Sequence, residues 1–230
     1  MDIGKAFSYV FDDEDWIKKV VIGGLLGIIP IVNFIVVGYA LRLIRNVAEG
    51  AERPLPEWDN WGDDFVCGLL VAVAAFLYWL PALIVMGIGS GIGALLGSSS
   101  DTGDTAALCV TAFQCLGSLW SILVAIVFPS AMLQYVMNGE FGDFFKFGTI
   151  IAFIRDNLGN YVIALLVSAL ANIVAGFGVI LCFVGVIFTQ FWSYVVMAHL
   201  FGQVWREANP PAPPLSSDTF VTGVGQPPVA

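Results

Sequence analysis

Charge is scarce in this chain: Asp, Glu, Lys and Arg make up 12% of its 230 residues, about half the share found in a soluble domain. A soluble chain of this length covers its surface with charge, so a water-soluble globule is excluded. Basic residues are the scarcer sign, nine against 18 acidic ones. They form no run in the sequence, which excludes a nucleic-acid-binding surface and a polybasic segment for anionic lipids. Histidine occurs once, at His199. One imidazole cannot build a histidine metal site, and no Ser-His-Asp arrangement is traceable around it, so neither a metal nor a cofactor is expected. The four cysteines, Cys67, Cys109, Cys115 and Cys182, form no C-x-x-C pair. They sit in apolar stretches and read as small packing residues. The opening segment Met1–Lys19 is too polar for a secretory leader and carries Asp12-Asp13-Glu14-Asp15.

What is abundant is apolar sequence, 58% of the chain. Phe65–Gly97, Ala106–Met137 and Leu158–Gln203 contain no Asp, Glu, Lys or Arg, the last being broken only by Gly176-Phe177-Gly178. A membrane crossing needs about 20 apolar residues, so each run suffices. Within lipid the backbone must satisfy its own hydrogen bonds, which leaves helices or closed barrels. Barrel strands alternate apolar with polar residues, and these runs do not. The expected fold is all-α, a polytopic helical membrane bundle.

Lys and Arg are retained on the cytoplasmic side of multi-pass proteins. Ser98–Thr105 and Gly176–Gly178 hold no basic residue, whereas Arg42, Arg45, Arg53, Lys146, Arg155 and Arg206 flank the opposite helix ends. Placing both termini on the cytoplasmic side of the cell membrane satisfies all nine basic residues, provided that Trp16–Ala48 enters the bilayer and returns. Pro30 breaks that segment near its middle, and Asn33 is placed to cap a new helix. A hairpin, re-entrant or spanning, brings the expected total to about six helices, at 16–29, 31–48, 65–97, 106–137, 158–175 and 179–205. Pro81 and Pro129 are expected to kink two of them. Over 140–156, Phe141, Phe144, Phe145, Phe147, Ile150, Ile151 and Ile154 recur at helical spacing opposite Glu140, Asp143, Lys146 and Arg155. That pattern predicts an amphipathic interfacial helix. Residues 1–207 are read as one membrane domain, and 208–230, rich in Pro, Gly and Ser, as a disordered cytoplasmic tail.

Ionisable side chains inside a span mark function, and the three long runs contain no acid, lysine or arginine. Among their polar residues, Gln114, Asn172 and Gln190 either line a solute pathway or glue helices together. Gly87, Gly89, Gly91, Gly93 and Gly97 lack the βαβ context of a dinucleotide loop. They read instead as a helix-packing face, on which Gly91→Leu should clash. The most distinctive stretch is Arg53–Phe65 (RPLPEWDNWGDDF). Glu57, Asp59, Asp63 and Asp64 are oxygen donors without the spacing of an EF-hand. Together with Trp58 and Trp61, read as headgroup anchors, they form a candidate cytoplasmic interaction patch.

These residues carry a resemblance. Asp15-Trp16, Ile22-Gly23-Gly24, Ile29-Pro30-Ile31-Val32-Asn33, Gly38-Tyr39, Arg42 and Arg45-Asn46-Val47 are its first part. Leu55-Pro56-Glu57-Trp58-Asp59-Asn60-Trp61 with Phe65 and Gly68 is the most specific part, and Phe141-Gly142-Asp143-Phe144-Phe145-Lys146-Phe147 with Ile154-Arg155 and Tyr161 the last. On these motifs the chain resembles an uncharacterised membrane-protein family of archaea and bacteria, domain-of-unknown-function family 4013, over most of residues 1–205. The general plan is also similar to membrane domains attached to some glycerophosphodiester phosphodiesterases, whose catalytic domain has no counterpart here. The resemblance implies a helical membrane fold and no site residues. The expected role is that of a non-enzymatic scaffold, lipid-organising or accessory protein, with membrane lipids and a membrane-protein partner or second copy as partners and no nucleic acid. The alternatives are a transporter or channel for a small neutral or apolar solute, and a lipid-modifying enzyme using the patch carboxylates.

Overall fold

Pro30 has no N–H to donate and its ring crowds the preceding turn, so the first apolar segment breaks there. In the computed structural model, which describes residues 1–96, 103–180 and 184–210, helix α1 (Ile3–Ser8) and a 3-10 turn precede α2 (Trp16–Ile28). The chain then reverses and enters α3 (Asn33–Glu49). Asn33 is the first residue of α3 and its amide donates to the Gly27 carbonyl of α2 at 3.3 Å, so it ties the two arms together. Ile31 at the turn takes φ 77°, a left-handed conformation that costs a β-branched residue energy.

Two long helices follow, α4 (Trp61–Leu96) and α5 (Gly103–Asn138), each of 36 residues. At 1.5 Å per residue each is about 54 Å long, well beyond the roughly 30 Å hydrocarbon core. Neither proline interrupts them, because side chains from neighbouring helices take over the disturbed backbone groups. Near Pro81 the Trp120 indole donates to the Tyr78 carbonyl at 2.8 Å. Beside Pro129 the Tyr161 hydroxyl accepts from Ser130 N–H at 3.0 Å and donates to the Ile126 carbonyl at 2.6 Å. Those two backbone groups are each other's partners in an unbroken helix, so Tyr161 is inserted into the hydrogen-bond ladder of α5. A short α6 (Phe147–Asp156) leads into α7 (Leu158–Gly176) and, after a 3-10 turn, α8 (Val184–Ala208).

Among the described residues the fold is all-helical, with eight α-helices and no strand. Four helices are long and apolar enough to cross a membrane: α4, α5, α7 with the turn after it, and α8. This narrows the expectation of six membrane helices. At 13 and 17 residues, α2 and α3 are only about 20 and 26 Å long. In the most apolar window of α4 only 22% of the residues are buried, against 56% in α8. Leu69, Val73, Phe76, Leu83, Leu119, Leu123, Leu166 and Ile173 all point outward. An apolar exterior of this kind is the solvent boundary of a protein in lipid rather than water.

The packed core gathers at one end of the bundle, where α3 and the second half of α8 cross. Tyr39, Leu43, Ile44, Leu133, Phe144, Ile150, Tyr161, Leu200 and Phe201 are fully buried there. Gly202 permits the crossing, because a Cβ on it would approach the Ile44 carbonyl oxygen to 2.9 Å. Residues 140–156 are not the single interfacial helix that the periodicity predicts. They form a 3-10 turn, Phe141–Phe145, followed by α6, and Asp143 and Phe144 are wholly buried. The turn docks because Phe144 stacks on Tyr135 at 4.6 Å and the Tyr78 hydroxyl donates to the Phe144 carbonyl. Tertiary packing therefore overrides the helical spacing.

The glycine run also differs from expectation. Gly89 lies against Phe113 and Gly93 against Val110, so these two pack α4 on α5. Around Gly87 and Gly91 there is open space within 4 Å. A Cβ at Gly91 therefore meets nothing within 4 Å among the described residues, and the close contacts fall at Gly89 and Gly93 instead. Gly97, Cys182 and the tail from residue 211 lie outside the described residues.

Candidate functional site

The Arg53-Pro54-Leu55-Pro56-Glu57 segment cannot continue a helix, since two prolines remove its backbone donors. Its carbonyls still need partners, and side chains supply them one after another. Asn46 Nδ2 donates to the Pro54 carbonyl at 2.9 Å and Lys19 Nζ to that of Leu55 at 3.4 Å. The Tyr39 hydroxyl donates to the Pro56 carbonyl and Arg42 Nη2 to that of Glu57, both at 2.8 Å. Four consecutive carbonyls are thus held by four side chains from α2 and α3. The α3–α4 loop is clamped.

A glycine crossing sets the register of the clamp. Gly38 on α3 faces Asp64 on α4, and Gly68 faces Phe34, so closely that a Cβ on either glycine would overlap a backbone carbonyl. One helical turn beyond, Arg42 meets Asp64 at 2.7 Å and Asp59 at 2.9 Å. Asp64 is 2% exposed and Lys19 3%. Burying either charge alone would be expensive, so each is paired. Lys19 reaches Asp13 at 2.8 Å and Glu57 at 2.5 Å. The Arg42 guanidinium, hydrogen-bonded to the exposed Asp59, holds that carboxyl below its ordinary range.

The tryptophans complete the arrangement. Trp58 stacks on Tyr39 at 4.1 Å and its indole donates to the Lys19 carbonyl at 3.1 Å. It is a half-buried wedge between α2 and α3. Trp61 donates to the Trp58 carbonyl at 2.7 Å and leaves its ring 44% exposed. Asp63 is exposed and makes no ion pair among the described residues. It borders a cavity of about 360 Å³ together with Asn60, Arg42, Arg45 and Tyr135. Of the six predicted patch residues, Glu57, Trp58, Asp59 and Asp64 are therefore engaged within the fold, and Trp61 and Asp63 face outward.

Two of the three amides are brought together. Gln190 Nε2 donates to Asn172 Oδ1 at 3.2 Å, and Asn172 Nδ2 to the Ser168 carbonyl at 2.9 Å. Gln114 lies on α5 and joins neither residue, its carbonyl accepting from the Ser118 hydroxyl. The sequence marks Lys19, Arg42 and Lys146 as basic residues that flank helices or face solvent, and does not show which carboxylates they pair with. Asp143, expected on a polar face, has no exposure, and Lys146 reaches it at 2.5 Å, which holds the lysine above its ordinary range. The signal for the Lys19 and Arg42 pairs is the Pro-x-Pro pair, whose orphaned carbonyls call for donors. Among the described residues no three His, Cys, Asp or Glu side chains converge as a metal site.

A family profile, described as a protein of unknown function (DUF4013), matches residues 22–184, which hold the glycine crossing, the clamped loop and the Asp143 turn. The chain belongs to the DUF4013 family. Neither a curated protein nor a solved structure matched it. Arg42, Gly38 and Gly68 of this DUF4013 site lie inside the matched segment, as do all six patch residues, whereas Lys19 precedes it.

Proposed function

We propose that this DUF4013 protein is a non-enzymatic integral membrane protein that acts as a scaffold or accessory subunit, presenting Trp61 and Asp63 to a partner on its cytoplasmic face. One observation carries the reading: Lys19 and Arg42 engage Glu57, Asp59 and Asp64, while Trp61 and Asp63, at the start of α4 beside the clamped loop, are exposed and Asp63 makes no ion pair among the described residues. Carboxylates held in ion pairs are poor general bases, since their protonation is tied to the fold. A rigid, exposed aromatic beside an unpaired charge suits protein recognition, because little conformational entropy is lost on docking.

In this reading both termini are cytoplasmic, α2 and α3 form a hairpin entering the same leaflet, and α6 lies near the interface with Phe147 and Ile151 outward. Cysteines introduced at Ser8 and Asp104 should be labelled from opposite sides of the membrane; labelling from one side would overturn the topology. A photoreactive residue at Trp61 should crosslink to a distinct membrane protein, or to a second copy, in native membranes. Asp63→Arg should suppress that adduct without lowering the melting temperature. Crosslinking to lipid alone would reject the scaffold reading. A second reading, transport of a small neutral or apolar solute, draws on a cavity of about 280 Å³ between α2, α3 and α8, lined by Asn33 and Gln190. Solute uptake into proteoliposomes that is lost on filling it with Gly27→Leu would favour that reading.

A further inference from the structure

At the end of α8 that carries Arg206, a cavity of about 750 Å³ opens between α1, the C-terminus of α3 and α8. Two cations line it, Lys5 and Arg206, brought together from opposite ends of the described chain. Neither has an ion pair or side-chain hydrogen bond among the described residues. Two carboxylates line it as well, Glu207 in an ion pair and Asp2 without one among the described residues. Glu207 pairs with the Met1 ammonium and accepts from Asn160 Nδ2 at 2.6 Å, and Asp2 Oδ1 accepts the Lys5 backbone N–H at 2.9 Å.

The same cavity holds a donor whose protonation is fixed by its neighbours. Gln203 Oε1 accepts from Asp2 N–H at 2.6 Å, so Nε2 is the amide nitrogen that donates to the Asp2 carbonyl. That nitrogen also lies 2.8 Å from His199 Nδ1, which must then accept. The imidazole proton is left on Nε2, which makes no hydrogen bond among the described residues. His199 is itself 3% exposed and held flat against Tyr9 at 4.2 Å. Gly50, at φ 82°, ends α3 and leaves room for the Arg206 guanidinium, which a Cβ there would approach to 3.1 Å.

We infer that this cavity binds a phosphomonoester. Two cationic side chains without an ion pair, set against the one unpaired carboxylate of Asp2, and a fixed N–H donor offer several donors to the acceptor oxygens of a phosphate, and a guanidinium engages phosphate through two parallel bonds. A monocarboxylate has two acceptor oxygens, fewer than these donors can serve. The volume exceeds what a phosphate group needs and falls within the range of small-molecule sites. It therefore has room for an organic remainder, whether a lipid headgroup such as phosphatidic acid or a soluble phosphate ester. The site uses no ionisable residue of the clamped loop, so it stands or falls apart from the scaffold reading.

The test uses the full chain in phosphatidylcholine nanodiscs. In one arm sn-glycerol 3-phosphate is titrated against sodium chloride of equal ionic strength; in the other, phosphatidic acid replaces part of the phosphatidylcholine. At least one arm should give a saturable rise in melting temperature, as a ligand that binds only the folded state requires. A response in the soluble arm names the soluble ester, and a response in the lipid arm names the headgroup. Lys5→Gln with Arg206→Gln should weaken binding at least about tenfold, whereas Lys5→Arg with Arg206→Lys should retain most of it. If the double variant does not fold, Lys5→Gln alone decides, since that side chain is exposed and tied to nothing in the described fold. Absence of a saturable shift in both arms, or unchanged affinity after the cations are removed, overturns the inference.

Discussion

The Tyr161 hydroxyl is the most exposed to test of the contacts that hold α5 together. It sits between Ser130 N–H at 3.0 Å and the Ile126 carbonyl at 2.6 Å, in a residue with no solvent exposure. Tyr161→Phe keeps the ring and its packing against Phe201 at 5.6 Å but strips both backbone groups of their partner. A buried polar group left unpaired costs about 1–3 kcal/mol. Two such groups set an upper bound of about 6 kcal/mol. Ser130 and Ile126 are natural partners, however, and part of the loss is recovered if that turn of α5 closes. The expected destabilisation is therefore about 2–3 kcal/mol. Reversible unfolding in mixed micelles, titrated with sodium dodecyl sulfate, measures it directly. A change below about 0.5 kcal/mol, the range of an ordinary surface substitution, would refute the insertion of Tyr161 into the ladder.

Four further outcomes follow from the packing. Gly68→Ala should prevent α4 from docking on α3, because its Cβ overlaps the Phe34 backbone rather than a movable side chain; loss of a monodisperse, folded species on size exclusion checks it. Gly89→Leu should lower the melting temperature by several degrees more than Gly91→Leu, since Phe113 occupies the space at Gly89 and a Cβ at Gly91 meets nothing within 4 Å among the described residues. Lys19→Met should cost about 2 kcal/mol or more, leaving Asp13 without its cation and the Leu55 carbonyl unpaired, and should raise amide exchange across residues 51–60; equal exchange in both proteins would contradict the clamp. Asp59 has a folded-state pKa below its ordinary 3.8, so its contribution is full above that value and is lost as acidification carries the pH below it. Asp59→Asn should flatten that acid limb of the stability profile, and an unchanged limb would show that the Arg42 contact is not formed.

The membrane class and the helical fold were legible in the sequence because both are local properties summed over about 20 residues. Uncharged runs of that length admit no other backbone solution in lipid, and Pro30 marks its helix break by chemistry that belongs to one residue. The patch between Arg53 and Phe65 was legible as unusual, since prolines, acids and tryptophans seldom alternate so closely. What its charges do was not legible. Glu57 meets Lys19 and Asp64 meets Arg42 because Gly38 and Gly68 let two backbones touch, and no periodicity encodes which glycine faces which carbonyl. The predicted helix over 140–156 failed for the same reason: burial of Phe144 against Tyr135 outweighs the helical spacing around it. Lys5 and Arg206 form no cluster in the sequence and become neighbours only when α1 folds against the end of α8. Apolarity acts along the chain, whereas ion pairs and cavities depend on distances between residues far apart in it, and those distances exist only in the folded molecule.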